Sequence, residues 1–261
     1  MSNKETALIT GASAGIGREL AMVFAEQGHD LILVARRKPE LDALAGSLTL
    51  EHEVDVSVQA ADLSVDGAAD SLFDTLADQP VDILVNNAGV LSGGWFLKMD
   101  QQAIDNMIRV NMLALTALCR RFMAPMLERG SGRVLNIASI AAFQPVPSLA
   151  VYAATKAYVL SLSEALAVET EKKGISVTAV CPGFTDTDML HGMDGEKSGV
   201  PDLAVLSPRE VARDAYAACM AGEAIKVPGL GYALTTMVAG ALPRWVLRRV
   251  GSLAIHSGRK G

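Results

Sequence analysis

Cysteine is scarce in this chain. Cys119, Cys181 and Cys219 are the only three in 261 residues. They form neither a metal-ligand spacing nor an even set for disulfides, which points to a reducing compartment and to small core residues. A basic excess is missing as well. Lys and Arg number 23 against 29 Asp and Glu, a formal charge of −6, which argues against a general nucleic-acid binder, because such proteins need surplus cations to neutralise phosphates. No apolar run makes the ~20 residues of a spanning helix: the two long uncharged stretches, 134–155 and 227–243, are interrupted by prolines or glycines. The opening "MSNKETALIT" is too short in apolar residues for a signal peptide and has no small-residue cleavage site, so a cytoplasmic protein without an integral membrane segment is expected. Repeats, low-complexity tracts and linkers are also lacking, and a single domain over residues 1–261 is expected.

What is present is an alternation. The apolar runs "TALIT", "DLILVA", "VDVSVQA", "VDILVN", "RVLNIAS" and "ISVTAVC" are each followed by a stretch of helical periodicity, at 15–28, 39–49, 66–78, 101–128, 151–173 and 208–221. Such a series predicts βαβ units. Because the strands are nearly continuous apolar runs, helices should cover both faces, giving an α/β Rossmann fold with a doubly wound, mainly parallel sheet. The least regular parts are 184–205 and the chain after 228.

The first strand runs directly into "TGASAGIG", Thr10 to Gly17, and then into a helical stretch that stops at Gly28. Gly11, Gly15 and Gly17 let backbone amides approach a pyrophosphate, and the helix that begins near Ile16 offers unpaired N–H groups and a favourable dipole. A phosphate-bearing ligand is expected there. The spacing G-x-x-x-G-x-G differs from the more general dinucleotide fingerprint. The second strand ends at Ala35, where a NAD-selective site would place an acid, and Arg36 and Arg37 follow. A guanidinium pairs with a 2′-phosphate that an acid would repel, which favours NADP(H). The alternative is a pair of solvated arginines opening a helix.

"YAATK" places Tyr152 four residues before Lys156, on one helical face. Alone the pair is a weak signal. Its company is not: "ADLS" at 61–64, "NNAG" at 86–89, Asn111 within "RVNML", Ser139 ending "RVLNIAS" and "PGFTDT" at 182–187 stand in order along the chain. With "TGASAGIG" they make the sequence resemble the short-chain dehydrogenase/reductase family, from near its start to about residue 221, as an NADP(H)-preferring, carbonyl reductase-like member. The resemblance implies that Tyr152 exchanges the proton with the substrate oxygen, that Ser139 orients the carbonyl, and that Lys156 holds the nicotinamide ribose. A nearby ammonium should also lower the phenol's pKa from its usual ~10. Asn111 is implied to interrupt a long helix and position a water that links Lys156 to bulk solvent. On the cofactor side, the resemblance assigns Asp62, with Leu63, to the adenine amino group. It makes Asn86 and Ala88, with Asn87 and Gly89 of the same motif, the floor under the adenosine. Ser13 falls near the 2′-phosphate, while Pro182, Gly183 and Thr187 belong to the carboxamide end. No metal is implied.

Substrate contacts are expected from 90–95, 140–146, 184–205 and the C-terminal region. Leu91, Trp95, Phe143, Val146 and Met189 make that candidate lining apolar, which favours a hydrophobic ketone or aldehyde, with alcohol oxidation as the reverse. Ordinary packing under loops is the alternative for each. A β-ketoacyl thioester reductase, on an acyl-carrier or CoA-linked chain, and an NADPH-binding regulatory protein are the other functional readings. The long apolar-periodic helices, together with the family's habit of pairing them, imply a homodimer or homotetramer. Residues 224–261 contain no acid and six basic residues, Lys226, Arg244, Arg248, Arg249, Arg259 and Lys260. This segment is expected to cover the pocket; docking on the protein's own acidic body, or resting on an anionic membrane with Trp245 at the interface, are its alternatives.

Overall fold

The computed structural model describes residues 4–191 and 205–242. Seven parallel strands form one sheet in the order β3-β2-β1-β4-β5-β6-β7. The six expected strands are β1 (Thr6–Thr10), β2 (Asp30–Ala35), β3 (Val56–Ala60), β4 (Ile83–Asn86), β5 (Gly132–Ile137) and β6 (Ile175–Val180), and a two-residue β7 (Ile225–Lys226) adds an edge. Side-chain alternation splits the central strands between two cores. Ala7 and Ile9 pack with Leu20, Phe24 and Ala215 on one face, while Leu8 packs with Leu118, Phe122 and Val159 on the other. Both faces are therefore dry, which is why the strands read as unbroken apolar runs.

The first face is covered by α1 (Gly15–Glu26), α2 (Lys38–His52) and α8 (Pro208–Ala221); the second by α3 (Ala68–Thr75), α5 (Leu115–Arg129) and α6 (Ala150–Thr170). Local signals set the ends. Ser207 and Glu210 form a reciprocal capping box with Pro208 at the first turn of α8, and Gly130 stops α5 in the left-handed conformation, φ 67°. The single helix expected over 101–128 is divided: α4 (Gln101–Ile108) passes into a π-helical stretch, Arg109–Ala114, before α5 begins. Beyond the sheet are a short α7 (Asp188–His191) and α9 (Leu230–Ala241). The rest of the expected substrate loop, 192–204, and the basic stretch with Arg244, Trp245, Arg248, Arg249, Arg259 and Lys260 lie outside the described residues. Among the described residues no helix is long and apolar enough to cross a membrane.

Strand order reverses between β1 and β4, so the loops at their C-terminal ends diverge and leave a crevice. The opposite ends of the strands are closed by ion pairs. Arg133 reaches Glu5 at 2.7 Å and Arg129 reaches Asp82 at 3.7 Å, while buried His29 shares a 3.0 Å hydrogen bond with the Tyr216 hydroxyl.

Candidate functional site

A cavity of about 560 Å³ lies at that crevice, within the size range of small-molecule and cofactor sites. Gly11, Ser13, Gly15, Ile16, Gly17, Arg36, Arg37, Asp62, Leu63, Asn87, Ala88, Gly89, Pro182, Gly183 and Thr187 all line it, together with Ser139, Tyr152 and Lys156. Asn111 stands behind Gly89 rather than in the wall: a side-chain carbon at Gly89 would sit 3.4 Å from the Asn111 Oδ1 and 3.6 Å from the Lys156 Nζ.

The first end is shaped by β1 and its glycines. Thr10 Oγ1 accepts from the Asn87 and Ala88 N–H groups at 3.1 and 3.0 Å, and Asn87 Nδ2 donates to the Thr10 carbonyl at 2.9 Å. These bonds draw the ends of β1 and β4 so close that a side chain at Gly11 would meet Asn87 at 2.8 Å, and one at Gly17 would overlap the Gly11 carbonyl. α1 begins with Ala14 as an extended N-cap that makes no side-chain capping bond. Its first N–H groups therefore face the cavity with their donor capacity in hand. Arg37 donates to Ser13 Oγ at 3.2 Å and lies 3.7 Å from Glu40, whereas Arg36 carries no hydrogen bond among the described residues. Asp62 is held below the usual carboxylate range, first by its bonds from the Ser64 hydroxyl and N–H at 2.7 and 2.9 Å and then by the nearby Arg36 charge. A glycine cradle, an uncapped helix start and two arginines fit a dinucleotide phosphate.

At the second end α6 brings up Tyr152 and Lys156, both buried. Ser139, at the tip of β5, lines the cavity with the Tyr152 phenol, and its Oγ accepts from the Ala141 N–H at 3.1 Å. Lys156 Nζ donates to the Ile137 carbonyl at 2.7 Å and stands 5.8 Å from the Tyr152 ring centre. Burial lowers the Lys156 ammonium to about 8, partly countered by Cys181 behind it. The expected lowering of the tyrosine is reversed: burial pushes its phenol up, and only Ser139 opposes that. Desolvation disfavours the charged form of both groups, and the ammonium's charge is directed at a backbone carbonyl. Asn111, in the π-helical stretch, donates to the Val90 carbonyl at 2.9 Å and to Thr155 Oγ1 at 3.1 Å and accepts from the Val90 N–H.

Three expectations fall elsewhere. Asn86 is 2 % exposed and bonded to Asn136 Oδ1 at 2.9 Å inside the core; as the last residue of β4 it points into the sheet, and its neighbour Asn87 lines the cavity instead. Trp95 is 62 % exposed, beside Lys98, and Phe143 lines a separate hollow against α9. Leu91, Val146 and Met189 do border the main cavity, joined by Leu149 and Phe184. The sequence assigns no site role to Thr10, Thr155 or Cys181, which the structure places against the site. Thr10 abuts the glycine motif and Thr155 lies inside "YAATK", but Cys181 shows only as the apolar end of a strand. Among the described residues no group of His, Cys, Asp and Glu is placed to hold a metal.

Comparison with known proteins accounts for this geometry. Residues 5–197 match the family model of the short chain dehydrogenases. A 3-oxoacyl-acyl-carrier-protein reductase from Chlamydia trachomatis is 33% identical over 218 residues, 81% of this chain and 88% of the relative. Among solved structures, a short-chain dehydrogenase from Sphingobium yanoikuyae in complex with NADPH is 35% identical with a TM-score of 0.82, covering 97% of this chain and 95% of that one. A bulky-bulky ketone specific alcohol dehydrogenase from Comamonas testosteroni is 34% identical with a TM-score of 0.79, covering 98% and 95%. With its glycine-lined cavity at the strand switch point and its Ser139, Tyr152 and Lys156 at the far end, the chain belongs to the short-chain dehydrogenase/reductase family of oxidoreductases.

Proposed function

We propose that the protein reduces an apolar ketone or aldehyde with NADPH, reversibly. The observation that carries this reading is the grouping of Ser139, Tyr152 and Lys156 at one end of a cavity whose other end presents Arg36, Arg37 and Ser13. Bound NADPH supplies a hydride for the carbonyl carbon. Ser139 orients the carbonyl by donating to its oxygen, and Tyr152 gives that oxygen its proton from Oη. Lys156, which lines the cavity end and whose Nζ donates to the Ile137 carbonyl, would hold the ribose hydroxyls of the bound cofactor. The raised phenol pKa suits a donor that must stay protonated until the oxygen develops charge. Asn111 and Thr155, joined at 3.1 Å, continue a polar path behind Lys156 for proton resupply.

NADPH over NADH is supported by Arg36 and Arg37 after Ala35 and by the NADPH complex among the similar structures. Apolar substrate is supported by Leu91, Val146, Leu149, Phe184 and Met189. Self-association across α5 and α6 is supported by Leu127 of α5 and Val168 of α6, with Leu113 of the preceding π-helical stretch, large apolar side chains that are all exposed. A second reading, reduction of a β-ketoacyl thioester, is favoured by the reductase relative from Chlamydia trachomatis. NADPH consumption with aliphatic and aryl ketones and with a β-ketoacyl thioester separates the two. Tyr152→Phe should abolish most turnover on the preferred substrate while sparing NADPH affinity; full turnover in that variant would refute the reading.

A further inference from the structure

The loop that follows β6 leaves through a narrow neck. Leu206 N–H donates to the Phe184 carbonyl at 2.8 Å and Asp186 N–H donates to the Leu206 carbonyl at 3.0 Å, a parallel bridge between Thr185 and Leu206. Pro182, Gly183 and Phe184, at this neck, line the cavity. Tyr232 does not. It stands in the first turn of α9 and backs onto Gly183, where any side-chain carbon would overlap the tyrosine ring. The chain enters α9 through Gly229, φ +82°, at which a side-chain carbon would lie 3.3 Å from Leu206 and 3.5 Å from the same ring. The Tyr232 carbonyl accepts from the Thr235 and Thr236 hydroxyls at 2.9 and 3.0 Å, which ties the residue into its own turn.

Gly183 has no side chain of its own to pack, so the aromatic ring fills its outer side. We propose that Tyr232 is a positioning residue: its ring wedges the Pro182–Phe184 backbone against the cavity and so sets the end of the cofactor site that includes Thr187. The inference rests on the dinucleotide reading above and deepens it. It makes α9 a buttress for the site, acting from behind the wall. Removing the ring leaves a void that the strip from Pro182 to Thr187 relaxes into, and the groups that should meet the carboxamide lose their place.

Two ligands tell this apart from a general loss of stability. NADPH spans the whole site; 2′,5′-ADP occupies only the end at Arg36 and Asp62. By titration calorimetry, Tyr232→Ala should raise the Kd for NADPH about tenfold, or ~1.4 kcal/mol, and leave that for 2′,5′-ADP within about twofold. Tyr232→Phe keeps the ring and should restore NADPH binding. Gly183→Ala should weaken NADPH by itself, yet add nothing to Tyr232→Ala, because the methyl group enters the space the ring vacated. Where Tyr232→Ala fails to fold, Tyr232→Leu carries the same comparison. Equal weakening of both ligands, or unchanged NADPH affinity, would overturn the buttress. Failure of the unmutated protein to bind either ligand would overturn the dinucleotide reading, and this inference with it.

Discussion

The two ends of the cavity are built in different ways. The end at Gly11, Gly17 and Arg36 comes from short stretches at the tips of β1 to β4, and close backbone approach between β1 and β4 fixes its shape. The end at Tyr152 and Gly183 is assembled from α6, the tip of β5, the loop after β6 and the distant α9, and side chains from separate elements fix it. A short continuous stretch leaves a motif in the sequence at either end, as "TGASAGIG" and "YAATK" do. A contact between distant elements, such as Tyr232 against Gly183, does not.

The largest expected effect falls on the assembled end. Lys156→Ala should lower turnover by ~10²–10⁴-fold, the usual contribution of a proton-transfer apparatus, as read by steady-state NADPH consumption. The unmutated enzyme should show a related loss with pH. The Lys156 value of about 8 lies below the ordinary 10.5, so its charge disappears early as the solution turns alkaline. NADPH affinity should accordingly weaken as pH rises through about 8, and Lys156→Met should remove that dependence.

At the locally built end the effects should be smaller and specific. Arg36→Ala is expected to erase a roughly ten- to hundredfold preference for NADPH over NADH, the worth of one charge-assisted bond of ~1.5–3 kcal/mol; paired Kd measurements check it. Gly17→Ala tests packing in place of charge. With the Gly11 carbonyl and Asn87 in the way, the added methyl should cost ~1–3 kcal/mol in denaturant unfolding and weaken NADPH and 2′,5′-ADP together. Weakening of NADPH alone would break the contrast between the two ends.

The smallest effect belongs outside the cavity. His29, at the opposite ends of the strands, has its pKa lowered chiefly by burial, against the attraction of Glu5. The unfolded chain then binds the proton more readily, so stability is intact above pH 6.5 and declines as pH falls below it. Urea midpoints should drop between pH 7.5 and 5.5 in the unmutated protein and less in His29→Phe, with no change in cofactor selectivity.

This division also explains how far reading residues could go. Six strands and most of the helices between them are legible because buried parallel strands and amphipathic helices have separate periods, though not the π-helical break at Arg109–Ala114, and "TGASAGIG" and "YAATK" are legible because each is one short continuous stretch. Asn86 was misplaced by a single residue, since "NNAG" does not say which asparagine ends β4 pointing inward. β7 is too short for any pattern. The direction of the Tyr152 shift depends on burial, and burial depends on packing that spacing leaves open. Trp95 looked like a pocket wall from its composition, yet its loop turns it to solvent. Tyr232 leaves no signal beside Gly183 at all.

Hydride transfer to a carbonyl is the claim on which every role above depends, and isotope placement tests it most directly. The protein, a bulky apolar ketone and NADPH doubly deuterated at nicotinamide C4 should yield the secondary alcohol with one deuterium on its carbinol carbon, in equal amount to the NADPH consumed. Alcohol without deuterium, or NADPH bound but left unconsumed across aliphatic, aryl and thioester-linked carbonyls, would contradict it.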